Sequence, residues 1–415
     1  MAKPARIVIV GAGFGGMYVL KGLHKHFHHD GRVEIALVSE RNYFLFTPLL
    51  HEVATGGVNP EHIVEPIRKI LGCCLSGLWL GKAEIIRLRE RRVEVAGRVL
   101  DYDYLILATG AQTNFYGIPG ASEHSFPLKS LEEAVRFKNH CIAQIERAAH
   151  TTDRAQRKRM LCFVVAGGGP TGVELAAELK EFLTDTFSRY YPPDVIEDVS
   201  VTLIQKGSEL LQQFDPRLRK KSIEVLRRKG ITVMTDTEIA EVGPSHITLH
   251  PGGVLETETV AWVAGVKPAE IAFDEPISRS ADGRLMVNEY LQLEGHPEIF
   301  VLGDAAASRR EDSASYLPAL AQVAVSEARS VSANIKRLVE GARPEPFRYR
   351  HKGDLVSLGQ WMAIGEIARF AFWGHVAWLL WRTVYLSKLI SWRKKVKVAV
   401  DWTINFFSPR DMSQL

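Results

Sequence analysis

The sequence predicts an α/β protein that builds one structural unit twice and ends in a tail of different character. Three observations carry this prediction. A strand, a glycine-rich turn, a helix and a second strand follow one another at the N-terminus; the same order returns later in the chain; and tryptophan and lysine gather near the C-terminus.

Arg6 to Val10 is a short apolar strand, and GAGFGG follows it directly, with Gly11, Gly13 and Gly16 at G-x-G-x-x-G spacing. A helical run extends from Met17 to Phe27, and a second strand, VEIALVSE, ends on Glu40, 24 residues past Gly16. A dinucleotide site needs this order. Glycines let the backbone approach a pyrophosphate, the helix N-terminus stabilises its charge, and a carboxylate accepts from ribose hydroxyls. The glycine motif alone says little; the full succession says much more.

The second copy reads CFVVAGGGPTGVELAAEL, with Gly167, Gly169 and Gly172 in the glycine positions and VSVTLIQK as the following strand. Each copy closes with an apolar strand and a small-residue turn, YDYLILATG at Gly110 and TVAWVAG at Gly265. Gly11 and Gly110 are 99 positions apart, Gly167 and Gly265 are 98. Equal internal spacing points to two copies of one fold, hence to two Rossmann-like domains and two dinucleotides. A third element, EIFVLGDAAA, puts Gly303 and Asp304 after an apolar strand. The expected organisation is a first domain from 1 to 130, an inserted domain from 131 to 282, a return to the first from 283 to 348, and a C-terminal region from 349 to 415.

The bulk numbers agree with a folded chain of two or three domains: 415 residues, 46% hydrophobic, 24% charged. A net charge of +4 argues against nucleic acid as the main partner. Cys73, Cys74, Cys141 and Cys162 show no metal or disulfide spacing and are expected as thiols in a reducing compartment. The N-terminal MAKPARIVIVGAGFGG reads as a strand and not as a signal peptide. The histidines of HKHFHH (His24, His26, His28, His29) lack companion ligands at metal spacing, so a solvated helix end and no metal are expected.

Residues 361 to 402 hold six of the eight tryptophans, Trp361, Trp373, Trp378, Trp381, Trp392 and Trp402. Their longest uncharged run, FAFWGHVAWLLW between Arg369 and Arg382, has 12 residues, well short of the roughly 20 that span a bilayer. Arg382, Lys388, Arg393, Lys394, Lys395 and Lys397 are interleaved with large apolar residues. Tryptophan at headgroup depth with lysine and arginine on anionic lipid describes an in-plane anchor, and the positive charge makes the cytoplasmic face its natural side. The other reading is a buried C-terminal subdomain or dimer interface. An anchor of this kind predicts that deletion after about Tyr349 releases a soluble core.

GAGFGG, PLLHEVATG, ATGA, GGGPTGVELAAEL, WVAGVKP, IFVLGDAAA, PALAQVA, FRYRHKG and WTINFFSPRD, in this order from residue 6 to about 410, resemble the type II NADH:quinone oxidoreductases, single-subunit respiratory NADH dehydrogenases. PLLHEVATG, the Gln after PALA and the tryptophan-rich tail are the discriminating features. The redox cysteine pair of disulfide reductases of this architecture is absent from RNYFLFTPLLHEVATGGVNP, so electrons are expected to go straight to an external acceptor. The resemblance implies an FAD-bound, usually dimeric enzyme that lies on a membrane, here the cytoplasmic face of a bacterial inner membrane. It passes electrons from NADH to a quinone without pumping protons.

By that resemblance, the first unit holds FAD through Gly11, Gly13, Phe14, Gly15, Gly16, Glu40, Arg41, Pro48, Ala108, Thr109, Gly110, Gly303, Asp304 and Ala321, with Asp304 on the ribityl chain. The second holds NAD(P)H through Gly167, Gly169, Pro170, Thr171, Gly172, Gln205, Lys206 and Gly265. Gln322 lines the quinone pocket, on a helix expected to open at Pro318 and to aim its N-terminus at the reduced flavin. Ser326 stands where relatives carry a second glutamine. Glu174, placed in the first turn of its helix, is tied to hydride transfer or quinone protonation, and Lys352 lies near the flavin. Gln205, where relatives selective for NADH typically have Glu, followed by Lys206, predicts weak discrimination against NADPH. Two rival readings share the nucleotide units: a soluble reductase of an iron–sulfur protein, which has no use for the tail, and a redox-sensing flavoprotein that turns over slowly.

Overall fold

The computed structural model describes residues 3–28, 30–71, 75–310, 315–368 and 370–414. Cys73, Cys74, His29 and Arg369, named above, lie outside them. The chain forms two compact units. The first comprises residues 1–45, 64–112 and 267–351; the second comprises 46–63, 113–266 and 352–415. The C-terminal segment is thus a part of the second unit and not a body of its own.

The first unit is built on a six-stranded sheet in the order Gln292–Leu293, His296–Val301, Tyr104–Leu107, Ala5–Val10, Val33–Ser39, Gly77–Leu80. All neighbours are parallel except the first pair. Ile7, Ile9, Leu37, Ile106 and Phe300 are fully buried, as expected of a parallel sheet covered on both faces. The helix Phe14–Phe27 packs along the helix Ala321–Val339. The two meet closely at Gly22, where an added Cβ would collide with Ser332 Oγ.

The second unit repeats the plan. Its five-stranded parallel sheet runs Phe126–Pro127, Thr259–Trp262, Cys162–Ala166, Ser200–Ile204, Ile231–Met234. The duplication extends to single hydrogen bonds. Gly11 N–H donates to Val38 O at 2.9 Å and Gly167 N–H to Ile204 O at 2.8 Å; Ala108 N–H donates to Val10 O at 2.8 Å and Val263 N–H to Ala166 O at 2.9 Å. Cys141 and Cys162 are free and buried.

From residue 352 the same unit adds an antiparallel sheet, Asp354–Ser357, Ala363–Ile367 and Phe370–Gly374, then the helices His375–Lys388 and Trp392–Phe407. The uncharged run expected to lie along a membrane is therefore split between a strand and a helix. Trp378, Trp381 and Trp402 point into the unit, whereas Trp361, Trp373 and Trp392 are exposed. Among the described residues, no helix is long and apolar enough to cross a membrane.

Two expectations about helices need correction. The helix of Gln322 begins at Ala321, with extended Leu320 as its N-cap, so Pro318 lies outside it and Gln322 is its second residue. Glu174 sits in the second turn of Pro170–Glu181, whose first turn has no acid. A favourable position at the positive helix end therefore does not account for Glu174.

Candidate functional site

In the first unit the glycine turn leaves room for a ligand. Gly11 has φ +104°, and a Cβ there would run into the Ala108 carbonyl; a Cβ at Gly16 would strike the Gly11 oxygen. Gly13 caps the helix without a side-chain bond, and a Cβ on it would find nothing within 4 Å. The first-turn N–H groups, which lack intrahelical acceptors by geometry, start at Phe14 and Gly15 beside that space. Gly15 packs on Leu302 and Ala108. Glu40 is exposed just past its strand, and the Arg41 N–H donates to Ser39 Oγ at 3.2 Å. The hydroxyl of Thr109, next to Gly110, is buried without a hydrogen-bond partner among the described residues, as suits a group that serves a ligand.

The turn Gly303–Ala305 presents half-buried Asp304. Glu327, which the sequence reading missed, holds that turn. Its two oxygens accept from Gly303 N–H at 2.5 Å and from Ser308 Oγ–H at 2.6 Å. Burial pushes Glu327 up to about 7, so it is largely uncharged at slightly acidic pH. Ala321, Gln322 and Ser326 are half-buried, with Gln322 and Ser326 one turn apart on one side of their helix. A glycine turn open at Gly13 before a helix N-terminus, a carboxylate past the second strand, the buried Thr109 hydroxyl and Asp304 together fit a flavin dinucleotide.

The second unit offers a cavity of about 320 Å³ at the start of the helix Pro170–Glu181, lined among others by Gly168, Gly169, Thr171, Gln205, Gln212 and Gly265. Pro170 occupies the first helical position, where its missing N–H costs nothing. Gly167 has φ +115°, and a Cβ at Gly172 would collide with its oxygen. Gln205 Oε1 accepts the Gly168 N–H at 2.8 Å, which turns the amide nitrogen of Gln205 to the other side. Lys206 is engaged by Glu238 at 2.7 Å on the surface.

The same helix carries Glu174, Glu178 and Glu181 on one face, all buried. Glu174 Oε1 accepts from Ser357 N–H and from the Trp381 indole, both at 3.1 Å, and Oε2 lies 3.8 Å from His51 Nδ1. Burial, reinforced by Glu52 and Glu178, raises Glu174 to about 8. Glu52 accepts the Trp402 indole N–H at 2.5 Å and is raised to about 7, again by burial first. Glu178 behaves oppositely. Burial works against its charge, yet Arg410, paired with it at 2.5 Å, holds it below the ordinary value. Glu181 bonds Lys229 and the Gln360 N–H, and burial lifts it to about 6. Burial lowers His51 to about 4, so its imidazole is neutral, and its Nε2 has no partner among the described residues. Arg382 lies over the rings of Trp378, Trp402 and Phe406 at 4.0, 4.7 and 5.0 Å.

Of the residues expected to act on substrates, Gln322 and Ser326 fall in the first unit; Glu174 and Lys352 fall in the second, Lys352 exposed. Pro48, expected with the flavin set, belongs to the second unit as well. Three glutamates spaced four and three apart among Leu175, Ala176, Ala177 and Leu179 were the available signal for the acid cluster. Its partners on the tail had no local signature.

Comparison with known proteins agrees with this geometry. The family described as pyridine nucleotide-disulphide oxidoreductase matches residues 5–328, and the NDH2 C-terminal domain matches 351–411. The type II NADH:quinone oxidoreductase Ndh of Mycobacterium tuberculosis is 30% identical over 98% of this chain and 89% of its own. The mitochondrial internal alternative NAD(P)H-ubiquinone oxidoreductase A1 of Arabidopsis thaliana is 28% identical over 100% and 86%. In fold, NDH2 of Plasmodium falciparum, solved with NADH, superposes with a TM-score of 0.91 at 21% identity, covering 99% of this chain and 100% of that one. The chain belongs to the type II NADH:quinone oxidoreductases, a branch of the pyridine nucleotide-disulphide oxidoreductase family.

Proposed function

We propose that this protein oxidises NADH and reduces a membrane quinone, with FAD as its bound group and no coupled proton pumping. FAD, when bound, supplies the two-electron relay between the two substrates. The observation that carries the reading is on one helix: Pro170–Glu181 begins at the nucleotide cavity and, one turn on, buries Glu174 in the protonated range at neutral pH. Hydride from NADH brings two electrons and one proton equivalent to the quinone; the second proton comes from an acid. Glu174 is that acid.

The remaining roles fall to residues already placed. Gly11, Gly13, Phe14, Gly15 and Gly16 receive the pyrophosphate of FAD, Glu40 and Arg41 its ribose end, Thr109 and Asp304 its inner hydroxyls, with Ala108, Gly110, Gly303 and Ala321 shaping the site. Gly167, Gly169, Pro170, Thr171, Gly172 and Gly265 do the same for NADH, and Gln205 with Lys206 meets the outer ribose. Gln322 and Ser326 bind the quinone head, and Lys352 adds positive charge for a reduced, anionic group.

The tail supports association with a lipid surface. On Trp392–Phe407 the exposed Trp392, Val396, Val400, Ile404 and Phe407 form one stripe edged by Arg393 and Lys397. An apolar stripe edged with positive charge suits an anionic headgroup layer, and the cytoplasmic face follows from that charge. A homodimer is part of the same reading, the exposed apolar surface being larger than one helix.

Purified, FAD-loaded protein assayed with NADH and NADPH against ubiquinone, menaquinone and ferricyanide tests the proposal. Rapid reoxidation of the reduced protein by a quinone is expected. If the reduced protein persists in excess quinone and a small iron–sulfur protein reoxidises it, the soluble-reductase reading replaces this one.

A further inference from the structure

The two C-terminal helices each send one tryptophan inward onto a carboxylate. Trp381 donates its indole N–H to Glu174 at 3.1 Å, and Trp402 donates to Glu52 at 2.5 Å. All four residues are buried. Packing alone asks for no such pairing: Trp378, from the same cluster, stacks on the Arg382 guanidinium instead. An indole N–H can only donate, so it favours the ionised carboxylate over the neutral acid.

We propose that Trp381 and Trp402 are positioning residues for proton delivery, Trp381 acting directly on Glu174 and Trp402 acting through the charge on Glu52, and that together they fix the pH range in which quinone receives its second proton. The inference rests on Glu174 as the proton donor of the proposed function. The overall reaction is NADH + H⁺ + quinone giving NAD⁺ + quinol. The hydride accounts for two electrons and one hydrogen; the Glu174 O–H bond breaks, a quinol O–H bond forms, and the carboxylate left behind takes a proton from the medium.

The groups facing the pair come from every neighbouring element. Glu174 is faced by Ser357 N–H from the tail sheet, by His51 from the segment 46–63, by Tyr385 from the helix of Trp381, and by the charges of Glu52 and Glu178. Glu52 is faced by Glu178, Arg382, Trp402 and Arg410. In this arrangement the two indoles act on Glu174 with opposite sign. Without the Trp381 donor, the Glu174 anion loses a stabilising bond and Glu174 holds its proton to higher pH. Without the Trp402 donor, Glu52 stays neutral to higher pH, repels the Glu174 anion less, and Glu174 releases its proton at lower pH.

The test uses FAD-loaded Trp381→Phe, Trp402→Phe, Glu52→Gln and Glu174→Gln proteins. Two readouts are taken: the pH profile of quinone reduction, and an infrared titration of the Glu174 carboxyl band, assigned by its loss in Glu174→Gln, in protein without NADH or quinone. Trp381→Phe is expected to move the alkaline limb and the carboxyl titration up by about one pH unit, and Trp402→Phe to move them down by about half a unit. Glu52→Gln, which fixes that site neutral, should shift Glu174 downward as Trp402→Phe does, and it answers the question even if a tryptophan variant folds poorly. Shifts in the same direction for both tryptophans, lower turnover with no shift, or no downward shift in Glu52→Gln would overturn the proposal. Glu174→Gln separates it from the reading beneath it. If that variant reduces quinone with an unaltered pH profile, Glu174 is not the donor, whereas opposite infrared shifts in the tryptophan variants would still report the two indoles acting on the acid pair.

Discussion

Arg410, just beyond the last helix, and Glu178, in the middle of the helix after the second glycine turn, form an ion pair at 2.5 Å with both side chains 8% exposed. The Arg410 guanidinium also reaches the Thr55 carbonyl and Glu181. The last residues of the chain thus neutralise a charge buried deep in the second unit.

Arg410→Met should therefore destabilise the protein by about 3–5 kcal/mol, the cost of leaving a buried charge unpaired. Adding Glu178→Gln should recover much of the loss, because the stranded charge is then gone. Thermal unfolding of the single and double variants checks this; equal losses in both would mean the pair matters only as packing. Deletion after about Tyr349 removes Ser357, Gln360, Trp381, Arg382, Trp402 and Arg410 together. The expected product is an unstable second unit and not the soluble core that a separable anchor would leave.

Stability should fall as pH rises from about 6.5 toward 8, above the range in which His51, buried neutral and lowered to about 4, adds stability with rising pH. Glu52, Glu174, Glu181 and Glu327 have folded-state values raised above the ordinary carboxyl value, chiefly by burial. Between the two values the folded state binds more protons than the unfolded one, so raising the pH favours unfolding. Glu178, lowered by Arg410 against burial, has the opposite sign, and its contribution is lost only in acid, below the ordinary carboxyl range. Melting temperature measured against pH should accordingly decline across neutrality, and Glu174→Gln should flatten the decline. A slope unchanged in that variant would refute a raised Glu174.

What the sequence made legible follows from what each feature needs. The glycine turns were visible because close backbone approach admits one residue type, and Gly11–Gly16 and Gly167–Gly172 make matching backbone hydrogen bonds. The start of the Gln322 helix was misplaced because a proline near an apolar run reads as a first helical residue. Here Leu320 is extended and the helix waits until Ala321. The acid cluster was legible only as three glutamates on one helix face; its partners were not, because they are remote: Arg410 lies 232 residues from Glu178 and Trp402 lies 350 from Glu52. Nothing local tells a buried glutamate from a solvated one.

Gln205→Glu should lower kcat/KM for NADPH about tenfold more than for NADH. A carboxylate there can still accept the Gly168 N–H, so the turn is preserved, while its charge repels a 2′-phosphate. Lys206 is already committed to Glu238, which limits its pull on that phosphate in the wild type. Steady-state kinetics with both nucleotides decide the matter; strong rejection of NADPH by the wild type would show that Gln205 does not set the choice.

Gln322→Leu should slow quinone reduction far more than reduction of the flavin by NADH, as resolved by stopped-flow half-reactions. Ser326→Gln, one turn along the same helix, fills space on the order of one or two waters at about 30 Å³ each. It should lower quinone KM or shift preference between benzoquinone and naphthoquinone heads, with a much smaller effect on ferricyanide reduction. Equal loss of both half-reactions in Gln322→Leu would make that residue a helix-end support and send the search for the quinone site elsewhere.

The exposed stripe of the last helix gives the final prediction. Val396 and Val400 are 52% and 48% exposed and one turn apart, so the fold gains little from their apolar character. Val398 and Trp402 carry the inward packing of that helix. Val396→Asp with Val400→Asp places two negative charges against an anionic headgroup layer and removes two apolar contacts with it. Binding to vesicles of phosphatidylglycerol and phosphatidylcholine should weaken at least about tenfold, since a loss of about 1.4 kcal/mol already corresponds to that factor. The melting temperature should stay within about 2 °C of the wild type, because neither side chain is buried. Undiminished vesicle binding with a changed oligomeric state would assign this stripe to contact between copies of the chain instead of to lipid.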